Sequence, residues 1–82
     1  MSNHHQRTES DKIWEDIKNV ELNLFGLPNQ RVEEYCAVAT VEPSKLYLIT
    51  KASAVLPALE EAVSGKYVVE SQMKWIVVSR KV

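Results

Sequence analysis

Few side chains in this sequence could do covalent or acid–base chemistry. There is one cysteine, Cys36. The only histidines, His4 and His5, lie within the first five residues. Three carboxylate pairs are adjacent in sequence: Glu15 with Asp16, Glu33 with Glu34, and Glu60 with Glu61. A cysteine or serine nucleophile needs a histidine or another electropositive neighbour, and the body of the chain holds no histidine. Zinc needs three or four clustered Cys, His or acidic ligands, which a histidine pair on a polar tail does not provide. Carboxylates adjacent on a helix diverge by about 100° around its axis, so such pairs do not converge on one substrate. Lys51 follows an apolar run. A buried lysine there could form a Schiff base, but a strand-end lysine reaching into water is the simpler reading. Phosphate-cradling loops need clustered glycines, and the two glycines, Gly26 and Gly65, are far apart. The expectation is a protein that is not an enzyme, with no metal and no cofactor.

Composition narrows the class. Eighty-two residues make one domain, with 45% hydrophobic and 26% charged residues, both ordinary for a globular chain. No apolar stretch approaches the ~20 residues of a membrane span, and the N-terminus lacks the apolar core of a signal peptide. With a single cysteine, these features point to a cytoplasmic protein without disulfides or membrane association. Net charge is −1, divided as −3 over residues 1–41 and +2 over residues 42–82. That balance offers no general attraction to nucleic acid.

The elements that would hold these residues follow from periodicity. Residues 1–9 read as a disordered tail, and residues 10–82 as one α+β domain. Ser10 is positioned to cap a helix carrying Ile13, Trp14 and Ile17 on one face. Val20 to Phe25 alternates as a strand with Leu22 and Leu24 on its buried side. Asn29 can cap a helix over residues 30–36, with Cys36 as a small core residue. Residues 37–41 and 46–50, joined by Glu42-Pro43-Ser44-Lys45, predict a hairpin. Ser53 heads a helix over residues 54–64 with Pro57 in its first turn. Val55, Leu56, Leu59, Ala62 and Val63 form its apolar stripe, and Gly65 is placed as a left-handed cap. Residues 66–70 and 75–80 predict a final hairpin. The order is α-β-α-β-β-α-β-β: a small, mainly antiparallel sheet of four to five strands with two or three short helices. Without its first helix and last strand, that order is the βαββαβ of a ferredoxin-like sandwich. The core is expected at Leu22, Leu24, Leu48, Leu56, Leu59, Val63, Val68, Ile76 and Val78.

The strands carry the most informative pattern. Residues 46–50, 67–70 and 75–80 are apolar on both faces, whereas a sheet with one wet face alternates apolar and polar. The helices suffice for one face. The other needs the N-terminal helix or a second molecule, because soluble monomers rarely leave a broad apolar patch in water. Tyr47, Ile49, Tyr67, Trp75 and Val77 are the candidate interface residues, and a homodimer is the expected assembly, with a protein partner the broader possibility. Two alternatives remain in view. One is an RNA- or single-stranded-DNA-binding module stacking bases on Tyr47, Tyr67 and Trp75; a pI near 6.1 and a poor match to the RNP1 pattern at residues 64–71 weigh against it. The other is a small-ligand-binding domain with a pocket between sheet and helices.

Overall fold

A computed structural model describes residues 7–82. His4 and His5, with most of the expected N-terminal tail, lie outside the described residues. Of tail residues 7–9, Thr8 caps the first helix and Glu9 opens it. Helix α1 spans Glu9–Ile17 and begins two residues earlier than the Ser10 cap predicts. The Thr8 hydroxyl accepts from the Asp11 N–H at 3.0 Å, and the Asp11 carboxylate accepts from the Thr8 N–H at 3.1 Å. This reciprocal box satisfies two donors that a helix start leaves open, and Glu9 and Asp11 favour its positive end.

The predicted strand over residues 20–25 contracts to β1 (Glu21–Leu22), and the predicted helix over residues 30–36 to α2 (Val32–Tyr35). The cause is a pairing between them. Gln30–Arg31 forms β2, antiparallel to β1, with Glu21 opposite Arg31 and Leu22 opposite Gln30. The N–H groups of Val32 and Glu33 then donate to the carbonyls of Val20 and Lys18, continuing the attachment into α2. Between these strands Leu24 is buried and Phe25 is fully exposed, and Gly26 turns the chain at φ +82°, a conformation that favours glycine. Gly65, expected to be left-handed, has no positive φ. The chain instead leaves helix α3 (Val55–Val63) through a turn in which the Lys66 N–H donates to the Val63 carbonyl.

Both predicted hairpins form. Strands β3 (Ala37–Ala39) and β4 (Leu46–Ile49) pair antiparallel, as do β5 (Tyr67–Ser71) and β6 (Ile76–Arg80). β6 also pairs antiparallel with β4, giving one four-stranded sheet in the order β3-β4-β6-β5. β4 and β5 are therefore parallel to each other, joined through α3, with β6 inserted between them as in a split βαβ unit. The chain is an α+β domain with three helices and two antiparallel sheets. A ferredoxin-like relation is suggested only in a permuted sense. Read cyclically from β6 through α1, β3, β4, α3 and β5, the order is βαββαβ, and the Arg80–Glu9 ion pair ties the end of β6 to the start of α1.

A single core forms on one side of the four-stranded sheet. Leu46, Leu48, Tyr67, Val69, Ile76 and Val78 pack there with Ile13 and Ile17 of α1 and Val55, Leu59 and Val63 of α3. Val68 is a correction. Expected in the core, it is 40% exposed, and its neighbours Tyr67 and Val69 are buried in its place. Leu56 is only half-buried and Ala62 is exposed, so the α3 stripe is narrower than its sequence suggests. Ser53 does not cap α3; Ala54 stands at the N-cap without a side-chain bond.

Candidate functional site

The cross-strand registers sort the sheet residues into two faces. Tyr47 stands opposite Val77, Ala37 opposite Ile49, Val68 opposite Ser79, and Glu70 opposite Val77. Residues paired across a sheet project to the same side. Tyr47, Ile49, Val68, Glu70, Val77 and Ser79 thus share the face away from α1 and α3. Continuing the β4–β6 ladder one step each way adds Trp75 opposite Ile49 and Lys45 opposite Ser79. No described helix packs on this face, since α1 and α3 both join the core on the other. The N-terminal helix, one of the two covers expected from sequence, therefore does not shield it.

Of the five candidate residues, four meet here: Tyr47, Ile49, Trp75 and Val77. Tyr67 does not. It shares the parity of Val69, lies in the core at 3% exposed, and turns its hydroxyl to α1. The Tyr67 hydroxyl donates to the Asp16 carboxylate at 2.6 Å, Lys66 approaches the same carboxylate at 3.5 Å, and the Arg80 guanidinium lies 5.7 Å from the Tyr67 ring centroid. The hydrogen bond from Tyr67 holds the Asp16 carboxyl below its ordinary value. Burial first, and the Asp16 hydrogen bond second, push the Tyr67 phenol up to about 12. This cluster staples α1 to β5 and β6.

On the helix-free face the side chains make their own partial cover. The Tyr47 and Trp75 rings meet edge to face, 5.3 Å between centroids and 84° between planes. Between these rings and the flanking strands Val77 is completely buried, and Tyr47 is 7% exposed. The Tyr47 hydroxyl donates to the Glu42 carboxylate at 2.6 Å. That bond raises the Tyr47 phenol above its ordinary value, while Ser44 and Tyr47 together lower Glu42. Of the three strand aromatics, only Trp75 keeps an appreciable part of its surface open. The patch is extended by Ile49, 45% exposed, and Val68. Sequence reasoning missed Val68 because Tyr67, Val68 and Val69 are all apolar, and a run of three does not tell which parity faces the helices.

The residues weighed for chemistry are placed as follows. Cys36 is buried and its thiol is pushed up to about 11, by desolvation against a smaller opposing hydrogen bond with Thr50. Glu33 pairs with Arg31 at 3.0 Å, the Glu34 carboxylate accepts from the Arg31 N–H at 2.9 Å, and Glu15 pairs with Lys18 at 3.3 Å. Lys51 is exposed at the end of β4. Among the described residues no cluster of three or more His, Cys, Asp or Glu could hold a metal, and no helix is long and apolar enough to cross a membrane. No protein-family model matches the chain, and searches of curated proteins and of solved structures return no significant match.

Proposed function

We propose that this chain is a non-catalytic interaction module whose helix-free sheet face seats a second copy of itself. One observation carries the reading: α1 and α3 occupy the same side of the sheet, which leaves Ile49, Val68 and part of Trp75 open on the other. Fully burying a large aliphatic or aromatic side chain stabilises by about 1.5–3 kcal/mol. Ile49 and Val68 keep under half of their surface, so each contributes on the order of 1 kcal/mol per copy when covered. A twofold pair counts every such contact twice, and self-complementary pairing is the usual solution for small homo-oligomers. Charge favours a second copy as occupant. Glu70 on β5 forms no salt bridge with any described residue, and Lys45 before β4, which lies in the field of Glu42 without a salt bridge to it, stands elsewhere on this face, so two copies related by a twofold axis can oppose one's acid to the other's base.

Sedimentation equilibrium at micromolar concentration tests the reading. The expected wild-type result is a dimer, with Ile49→Glu shifted to monomer while its circular dichroism remains that of the folded chain. A wild-type chain that stays monomeric at every concentration, or an Ile49→Glu dimer as stable as wild type, would overturn it.

A further inference from the structure

Val77 lies on the sheet face that no described helix covers, yet it is completely buried. Two rings roof it. Tyr47 stands directly opposite Val77 across the β4–β6 pairing, and Trp75, two residues before Val77, projects to the same side. The rings meet edge to face with centroids 5.3 Å apart. Trp75 keeps part of its surface open, so the orientation of its ring shapes the patch that a second copy would meet.

The Tyr47 ring is held at its far end. Its hydroxyl donates to one oxygen of the Glu42 carboxylate at 2.6 Å, and the Ser44 hydroxyl donates to the other oxygen. Hydroxyl bonds to an ionised oxygen are short and strong. Glu42 forms no salt bridge with any described residue. Tyr67 is also bonded to a carboxylate, with a different result. Its bond to Asp16 joins residues 51 apart and fastens α1 to the sheet. The bond from Tyr47 joins residues five apart that the β3–β4 pairing already brings together, with Ala39 opposite Tyr47. It adds no link between elements. Its consequence is local: it fixes which way the Tyr47 ring leans and, through the edge contact, where the Trp75 ring stands. Side chains ordered before association lose less freedom when an interface closes.

We infer that Glu42 is a positioning residue for self-association: its carboxylate holds the Tyr47 ring, and that ring holds Trp75 in the orientation a second copy closes on. This rests on the self-association proposed above and adds to it the group that prepares the face.

The test is a double-mutant cycle on the full chain, with Glu42→Ala, Tyr47→Phe and the two combined, each measured by sedimentation equilibrium and by NMR of the aromatic rings. Tyr47→Phe keeps the ring and deletes only the hydroxyl. Each single variant is expected to raise the dimer dissociation constant at least about fivefold, since two tethers are lost per dimer, and the double variant no further than either single. Glu42→Gln, whose amide oxygen still accepts from Tyr47, should recover part of the affinity. In the dilute monomer, Glu42→Ala should weaken the Tyr47–Trp75 ring NOEs while leaving the urea midpoint almost unchanged, a pairing that a merely structural role would not give. A Glu42→Ala dimer as tight as wild type would overturn the inference alone. Additive losses in the double variant would do the same, by showing that Glu42 meets the partner directly, as would a loss of affinity matched by an equal loss of monomer stability. A wild-type chain that never dimerises would overturn the self-association and this inference with it.

Discussion

The Tyr67 hydroxyl ends a chain of contacts that makes α1 part of the domain. Its bond to Asp16 depresses the carboxyl. A depressed carboxyl contributes stability that is fully present above its unfolded value, near its ordinary 3.8, and lost as pH falls through the lower folded value. Tyr67 contributes in the opposite sense. Its stabilisation is complete below its ordinary value of 10.0 and lost as pH rises toward about 12. Tyr67→Phe should therefore flatten both flanks of a plot of thermal midpoint against pH. At neutral pH it should lower stability by about 0.5–1.5 kcal/mol, modest because Asp16 is partly in water. An unchanged acid flank would show that the bond contributes nothing in solution. Cys36 gives a second residue-scale test. Buried, with its thiol near 11, it should react with a thiol-specific disulfide reagent at pH 8 orders of magnitude more slowly in the folded chain than in denaturant. Equal rates would place the thiol at the surface. The core role of Cys36 was legible in the sequence from its place beside Val32. The Tyr67–Asp16 contact was not, because it joins residues fifty-one apart whose meeting depends on which face of β5 turns inward.

Elements differed in legibility for a physical reason. The β3–β4 and β5–β6 hairpins pair neighbouring segments across short turns, so local sequence suffices to predict them. The Asn29 cap and the residue 30–36 helix were local expectations overruled at a distance: Gln30 and Arg31 have better partners in β1 than in a helix turn. The two-faced strands show the limit of period-two reasoning. It separates Tyr67 and Val69 from Val68 correctly but leaves open which set meets the helices. α3 sets the answer with Leu59, fully buried against the sheet. Leu59→Ala should cost about 2–5 kcal/mol in urea unfolding, the range for a large-to-small change in a packed core. Val68→Ala, on the other face, should cost under about 1 kcal/mol in the monomer, as an exposed-site substitution does. Equal costs for the two would contradict the assignment of faces. Thr8→Ala, which removes a capping bond, should cost about 1 kcal/mol.

At the scale of the whole molecule, the arrangement is a sandwich with one cover missing. Two helices of nine residues each cover one face of a four-stranded sheet, and the small β1–β2 sheet with α2 packs around the same core through Leu22, Leu24 and Val32. The second face is half-closed from within, where the Tyr47–Trp75 contact hides Val77. This distinction decides which substitution probes the surface. Val77→Glu would place a charge in a closed site and unfold the strand, whereas Ile49→Glu changes an accessible residue. Four of the five candidate residues read from the sequence share the helix-free face, and Tyr67 lies on the other. What the sequence lacked was the position of α1, fixed by long-range contacts to β4 and β6.

The central claim is that the helix-free face, and no other surface, joins two copies. Isotope-filtered NOE measurements on a one-to-one mixture of ¹³C-labelled and unlabelled chain test it most directly. The predicted result is a set of intermolecular contacts among Ile49, Val68 and the Trp75 ring, with none from α1 or α3. Intermolecular contacts arising from the helical face, or none at concentrations where Ile49 and Val68 remain in water, would contradict it.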